Sequence, residues 1–190
     1  EWLGGEPLLR DSVFKHMETD AEFGFRNNMW TGGLPLSDEH IAKQCAGLCK
    51  NGLISVHVSS INPKTYKTLH PENDENDLNN ILKGVKNLLN MGYPAEQMLN
   101  SVTYSGLQSA DDLIETIDYF EKEFGISTSL NVYHTYLRPG QDKHDLLRFI
   151  PDKKDIRKVY SRLKKQYSVK HLPMNCVNLQ YCSATVAVLC

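Results

Sequence analysis

Glu1-Trp2-Leu3-Gly4-Gly5-Glu6-Pro7-Leu8-Leu9-Arg10 is the stretch that decides the fold. The short run ending at Leu3 predicts the last residues of a β-strand. Gly4 and Gly5 carry no Cβ, so the backbone there can turn sharply or approach a ligand closely. Glu6 places a carboxylate at the strand tip, and Pro7 suits the first turn of a following helix. A strand, a glycine pair, an acid and a helix in that order is how an α/β barrel builds a pocket at the carboxyl ends of its strands. The chain opens in mid-element, which predicts a segment cut just before a binding loop. A barrel lacking its first strand has an unpaired edge, so residues 1–190 alone are expected to be insoluble or molten.

Further along, strands and helices alternate. Residues 23–30 predict a strand leading into the turn Thr31-Gly32-Gly33. Ser37 is placed to cap a helix with Asp38, Glu39 and His40 in its first turn, and Asn51-Gly52 stops it. Leu53-Ile54-Ser55-Val56-His57-Val58 is the clearest strand, β-branched and followed by Asn62-Pro63. Residues 74–90 predict a helix with Leu78, Ile81, Leu82, Val85, Leu88 and Leu89 on one face. Residues 98–104 read as a strand, 109–124 as a helix capped by Ser109, 128–134 as a strand and 151–167 as a charged amphipathic helix. Strands separated by long helices indicate βαβ units and a parallel sheet. After Lys170 the chain loses charge and gains three cysteines, so a boundary is expected there, with domains at 1–169 and 170–190.

With 190 residues the chain can build one domain with a substantial core. A net charge of −2 argues against broad electrostatic binding to nucleic acid. No apolar run approaches the ~18 residues that signal a membrane span, and no nucleic-acid or membrane partner is expected. The five cysteines, Cys45, Cys49, Cys176, Cys182 and Cys190, are odd in number and unevenly spread. They suit free thiols or metal ligands better than a secreted disulfide framework, which makes a cytoplasmic location the expectation.

Gly4-Gly5-Glu6-Pro7, followed by Leu8-Leu9-Arg10, resembles the GGEP motif of radical SAM enzymes. The resemblance implies a partial (β/α)6 TIM-like barrel whose first β/α unit is missing. It also implies that Gly4, Gly5, Glu6 and Pro7 hold the amino group of S-adenosylmethionine. The segment from Val56 to Tyr66 is similar to the family's fourth-strand end, where a Ser or Asp reaches the cofactor ribose. His57 stands here where Ser is frequent, and Ser59 where Asp is frequent. Thr31-Gly32-Gly33 resembles the family's Thr-Asn-Gly turn, with Gly replacing Asn. Asn100 and Thr103 on the fifth strand are further cofactor candidates, as are His134, Tyr136 and Arg138 at the sixth-strand end.

The stretch from Tyr181 to Cys190 resembles the opening of the cysteine-rich extension in SPASM or twitch radical SAM proteins. That implies auxiliary [4Fe–4S] clusters with Cys182 as a candidate ligand, and Cys176 and Cys190 as weaker ones. Cys45-Ala46-Gly47-Leu48-Cys49 spells only the first part of the family's CxxxCxxC. The third position falls at Gly52 and the pair lies on a helix, so these thiols are expected to pack in the core.

For the function, the resemblance implies a fragment of an enzyme that reductively cleaves S-adenosylmethionine at a [4Fe–4S] cluster whose ligands lie outside the fragment. The 5′-deoxyadenosyl radical so formed abstracts a substrate hydrogen. The implied partners are a peptide or protein substrate, as in peptide modification or enzyme maturation, and an electron donor such as a flavodoxin or ferredoxin. Other readings stand beside it. A degenerate barrel without a cluster would serve as a binding or scaffold subunit. An unrelated barrel lyase or hydrolase would need metal ligands at several strand ends, where only His57 and His134 are evident. Residue by residue, Glu6 also reads as a helix N-terminal acid. Ser59 and Ser60 read as turn-forming hydroxyls, His57 as a satisfied core histidine, and Cys182 as a buried thiol.

Overall fold

The computed structural model describes residues 1–133 and 146–167. Strands β1 (Met29–Thr31), β2 (Ile54–Val56), β3 (Met98–Tyr104) and β4 (Ser127–Val132) form a parallel sheet in the order β1-β2-β3-β4. Trp2 adds a parallel bridge to Met29 on the outer side of β1. Its N–H donates to Asn28 O at 2.8 Å, and Trp30 N–H donates to its carbonyl at 2.9 Å. The opening residues therefore run alongside the sheet, as the Trp2-Leu3 reading requires.

Helices α1 (Val13–Glu22), α2 (Glu39–Leu48), α3 (Pro63–Leu69), α4 (Asp77–Asn90), α5 (Ala110–Tyr119) and α6 (Lys153–Tyr167) fill the connections. Their starts are written in short polar side chains. Asp38 caps α2 by accepting from His40 N and Ile41 N, and Asn62 caps α3 by accepting from Lys64 N and Thr65 N. Ser109 caps α5 through Asp112 N. Each satisfies amide donors that the first turn leaves unpaired.

One apolar cluster joins β1, β2 and the start of β3 to α1, α2 and α4, with Met17, Met29, Leu36, Ile54, Leu88 and Met98 essentially sealed from solvent. A second joins β3 and β4 to α5 and α6 through Val102, Leu113, Ile117, Leu130, Val159 and Leu163. Burying side chains of this size contributes about 1.5–3 kcal/mol each. Asn27 ties the first cluster to the edge. Its Oδ1 accepts from Trp2 Nε1 at 2.7 Å, while its Nδ2 donates to Met17 O at 2.8 Å and Leu48 O at 3.3 Å.

The strand expected over 23–30 is corrected to Met29–Thr31. Phe23 caps α1, Gly24 has φ of +80°, and Phe25 N–H returns to Asp20 O, so these amides serve the helix end. Phe23 and Phe25 are 75% and 68% exposed, without the burial a sheet would give. Asp38 rather than Ser37 caps α2, because Leu34–Ser37 forms a 3₁₀ turn first. Pro7 likewise opens a 3₁₀ turn, Pro7–Leu9, ahead of α1. Beyond Tyr119, helix α5 widens into a π turn over Phe120–Phe124 and stops at Gly125, with φ of +68°. Among the described residues no helix is long and apolar enough to cross a membrane.

Candidate functional site

In a parallel sheet the carboxyl ends of the strands share one edge, and the loops there carry most of the singled-out polar residues. The first of these loops is built by Gly4 and Gly5, with φ of +92° and +60°. A Cβ would meet nothing within 4 Å at either glycine, so the backbone angle rather than space calls for them. The turn presents Glu6, whose Oε1 accepts from Leu8 N at 3.1 Å.

The same carboxylate reaches the turn after β1. Thr31 Oγ1 lies 2.8 Å from both carboxylate oxygens, and Gly32 N–H donates to Oε2 at 2.7 Å. Gly33 N–H in turn donates to Thr31 Oγ1 at 2.9 Å. The turn fits no larger residue at Gly33. There φ is +89° and an added Cβ would lie 2.8 Å from Ile81 Cγ2. Glu6, half-buried, is thus a fixed negative charge at the strand edge. An ionised carboxylate offers about four lone-pair sites, and the chemistry it suits is the binding of an ammonium or another donor.

The second loop follows β2. His57, half-buried, meets Ser59 Oγ through Nε2 at 2.9 Å, and His70 Nε2 meets the same Oγ at 3.2 Å. His70 ends α3 as its C-cap, its ring 5.7 Å from that of His57 and 4.7 Å from Tyr66. Burial, with His70 nearby, pushes His57 below the usual imidazole range, and a hydrogen bond to the Ser101 backbone opposes this only in part. Burial also pushes His70 down.

Ser59 itself is 3% exposed. Beside it, Ser60 Oγ donates to Asp112 Oδ1 at 3.1 Å. Gln108 Nε2 donates to Ser59 O at 2.6 Å and to Asp112 Oδ2 at 2.7 Å. The loop after β2 is therefore pinned to the start of α5.

Asn100 lies on the buried face of β3. Its Oδ1 accepts from Val58 N at 2.9 Å, and its Nδ2 donates to Val58 O at 3.0 Å. The amide replaces ladder partners just past the end of β2, at Val56, and so holds the His57–Ser59 corner in place. Thr103 lies on the other face, half-buried with Leu99 and Ser101.

Cys45 and Cys49 are sealed in the core, and their mutual hydrogen bond together with burial raises Cys45 well above the ordinary thiol range. Among the described residues no group of three His, Cys, Asp or Glu side chains is placed to hold a metal ion. His134, Tyr136, Arg138, Cys176, Cys182 and Cys190 lie outside the described residues, as does the expected boundary at 170.

The structure thus joins Glu6 to Thr31-Gly32-Gly33 and joins His57 to Ser59. His70, Gln108 and Asp112 went unremarked in the sequence. For His70 the available signal was the Asn62-Pro63 helix start, which carries one short helix back to the same corner. An open groove of about 390 Å³, lined in part by Ile61, Ile114 and Tyr119, lies along α5 and reaches the loop after β2 at Ile61. Its acids Asp111 and Asp118 already pair with Lys158 and Arg162.

No protein-family model matches the chain. No curated protein matches it either. Among solved structures, that of HydG, a maturase of the [FeFe]-hydrogenase, matches with a TM-score of 0.59 at 16% identity, over 83% of this chain and 35% of that one. The chain therefore spans about a third of HydG's length, and likeness at this identity is a likeness of fold.

Proposed function

We propose that this chain is the cofactor-binding part of a radical SAM enzyme, with Glu6 holding the ammonium of S-adenosylmethionine. The observation that carries the proposal is the Glu6 carboxylate, fixed beyond a Gly4-Gly5 turn by Thr31 and Gly32. The fold likeness to HydG supports it. So does the parallel sheet, which gathers the Glu6, Thr31 and His57 loops at one edge.

The residues fit the organic cofactor. Gly4 and Gly5 leave backbone open beside the carboxylate, and the Thr31 turn keeps Glu6 aimed. His57 is half-buried at the next strand end but one from Trp2. When bound, S-adenosylmethionine supplies the adenosyl group from which this enzyme class makes its radical. Arg138 and Cys182 enter the proposal on the sequence resemblance alone. Cys45 and Cys49 are buried packing residues and do not fit as [4Fe–4S] ligands, and the resemblance puts those ligands outside this segment.

Titration calorimetry of the whole protein with S-adenosylmethionine tests the reading. We expect binding that weakens at least about tenfold, or 1.4 kcal/mol, in Glu6→Gln. Binding that Glu6→Gln leaves unchanged, or none in the folded protein, overturns it. The alternative reading is a cluster-less barrel that serves as a binding or scaffold subunit. Iron and sulfide analysis after anaerobic reconstitution of the whole protein separates the two.

A further inference from the structure

The His57–Ser59–His70 corner carries more order than a pair of hydrogen bonds. His57 Nε2 lies 2.9 Å from Ser59 Oγ, and His70 Nε2 lies 3.2 Å from the same oxygen. A hydroxyl has one proton, so when Ser59 donates to one ring the other ring must donate to Ser59. Two arrangements satisfy both contacts. The relay uses the one in which His70 Nε2–H donates to Ser59 and Ser59 O–H donates to His57 Nε2, with the neutral His57 ring protonated on Nδ1.

We propose that His70 and Ser59 form a proton relay that charges and discharges His57 at the carboxyl end of β2. A proton arriving at His70 Nδ1 lets the Nε2 proton pass to Ser59 Oγ while the Ser59 proton passes to His57 Nε2. The result is a His57 imidazolium, a neutral Ser59 now donating to His70 Nε2, and a neutral His70 protonated on Nδ1. The reverse shift returns the proton. Ser59 is a conduit in this arrangement and a positioning residue, which agrees with its near-complete burial.

Among the described residues, the groups beside the pair are engaged elsewhere. Tyr66 packs on His70 from α3. The acid on the α5 side, Asp112, bonds Ser60 and Gln108 rather than an imidazole. Gln108 holds Ser59 through its backbone carbonyl, which fixes the conduit without taking part in it. The relay goes beyond the cofactor reading and does not depend on it.

Long-range ¹H–¹⁵N NMR of the histidine side chains in the intact chain tests the relay without any ligand. At pH 8 we expect His57 as the Nδ1–H tautomer and His70 as Nε2–H. The opposite tautomer on His57 overturns the proposal in the unmodified protein, whatever any variant does. On acidification the two rings are expected to share a common first midpoint, because coupled groups titrate as a pair. Ser59→Ala is expected to lose that common midpoint and Ser59→Thr to keep it. A His57 titration untouched by Ser59→Ala overturns the proposal. Tautomers and titrations as expected, alongside failed binding of S-adenosylmethionine, leave the relay standing and remove only the cofactor reading.

Discussion

Thr31 Oγ1 lies 2.8 Å from both carboxylate oxygens of Glu6, across 25 residues of chain. A hydroxyl has one proton, so it is shared between the two oxygens while Gly32 N–H fixes one of them. The first strand-end loop and the turn after β1 are therefore one unit. Replacing Glu6 by Gln or Thr31 by Val should each cost about 1–2 kcal/mol, discounted from the range for charge-assisted bonds because Glu6 is partly exposed. The double variant should cost less than the sum, since both remove the same bond. Urea denaturation of the four proteins measures the coupling. Strict additivity would show that the contact contributes nothing.

Gly5 has φ of +60° with open space where a Cβ would be. Gly5→Ala therefore isolates the backbone term, about 1–2 kcal/mol for an L-residue held left-handed. Thermal unfolding of Gly5→Ala should show that loss with the Glu6 bonds intact. A variant as stable as the parent would mean that the turn relaxes to another conformation.

Asn100 gives both ends of its amide to Val58. Asn100→Leu leaves a buried N–H and a buried C=O unpaired, at about 1–3 kcal/mol each. A loss of roughly 2–4 kcal/mol in denaturant unfolding is expected, along with increased hydrogen exchange at Val58. Asn100→Asp sets an oxygen against Val58 O in a fully buried site, so at neutral pH it should cost at least as much as Asn100→Leu. A neutral Asn100→Leu would assign the corner's order to Gln108 and Asp112 instead.

Much of the frame was written in local chemistry. Strand β3 falls at Met98–Tyr104 as its alternation indicates, and the Ser109 cap is where its side chain says. The α4 face is legible for the same reason, since Leu78, Ile81, Val85 and Leu88 repeat at the helical period and are all buried. The β1 start was not legible. Phe23 and Phe25 look like strand residues, yet the amides around them serve the end of α1. The short form of β2 was hidden too, because it depends on Asn100, 42 residues from Val58. At the site, Glu6 and the Thr31 turn were visible as separate motifs, but only the sheet brings them together. His70 carries no motif and reaches Ser59 by the length of α3 alone.

The two imidazoles give the sharpest test of that corner in the folded chain. Both titrate below the ordinary value of 6.5, His57 by burial and the neighbouring His70, His70 by burial. As pH falls through about 6.5, the unfolded chain takes up these protons before the native one does. Stability depends on pH through the difference in bound protons, so it must decline on acidification and recover on return to neutral pH. The slope approaches about 1.4 kcal/mol per pH unit for each histidine between 6.5 and its lowered native value. Urea midpoints between pH 7.5 and 5.5 should therefore drop in the parent and drop less steeply in His70→Gln, which keeps a donor toward Ser59 but cannot titrate. A flat profile in the parent, or an equal slope in the variant, would place both rings in ordinary solvent and remove the buried corner from the site.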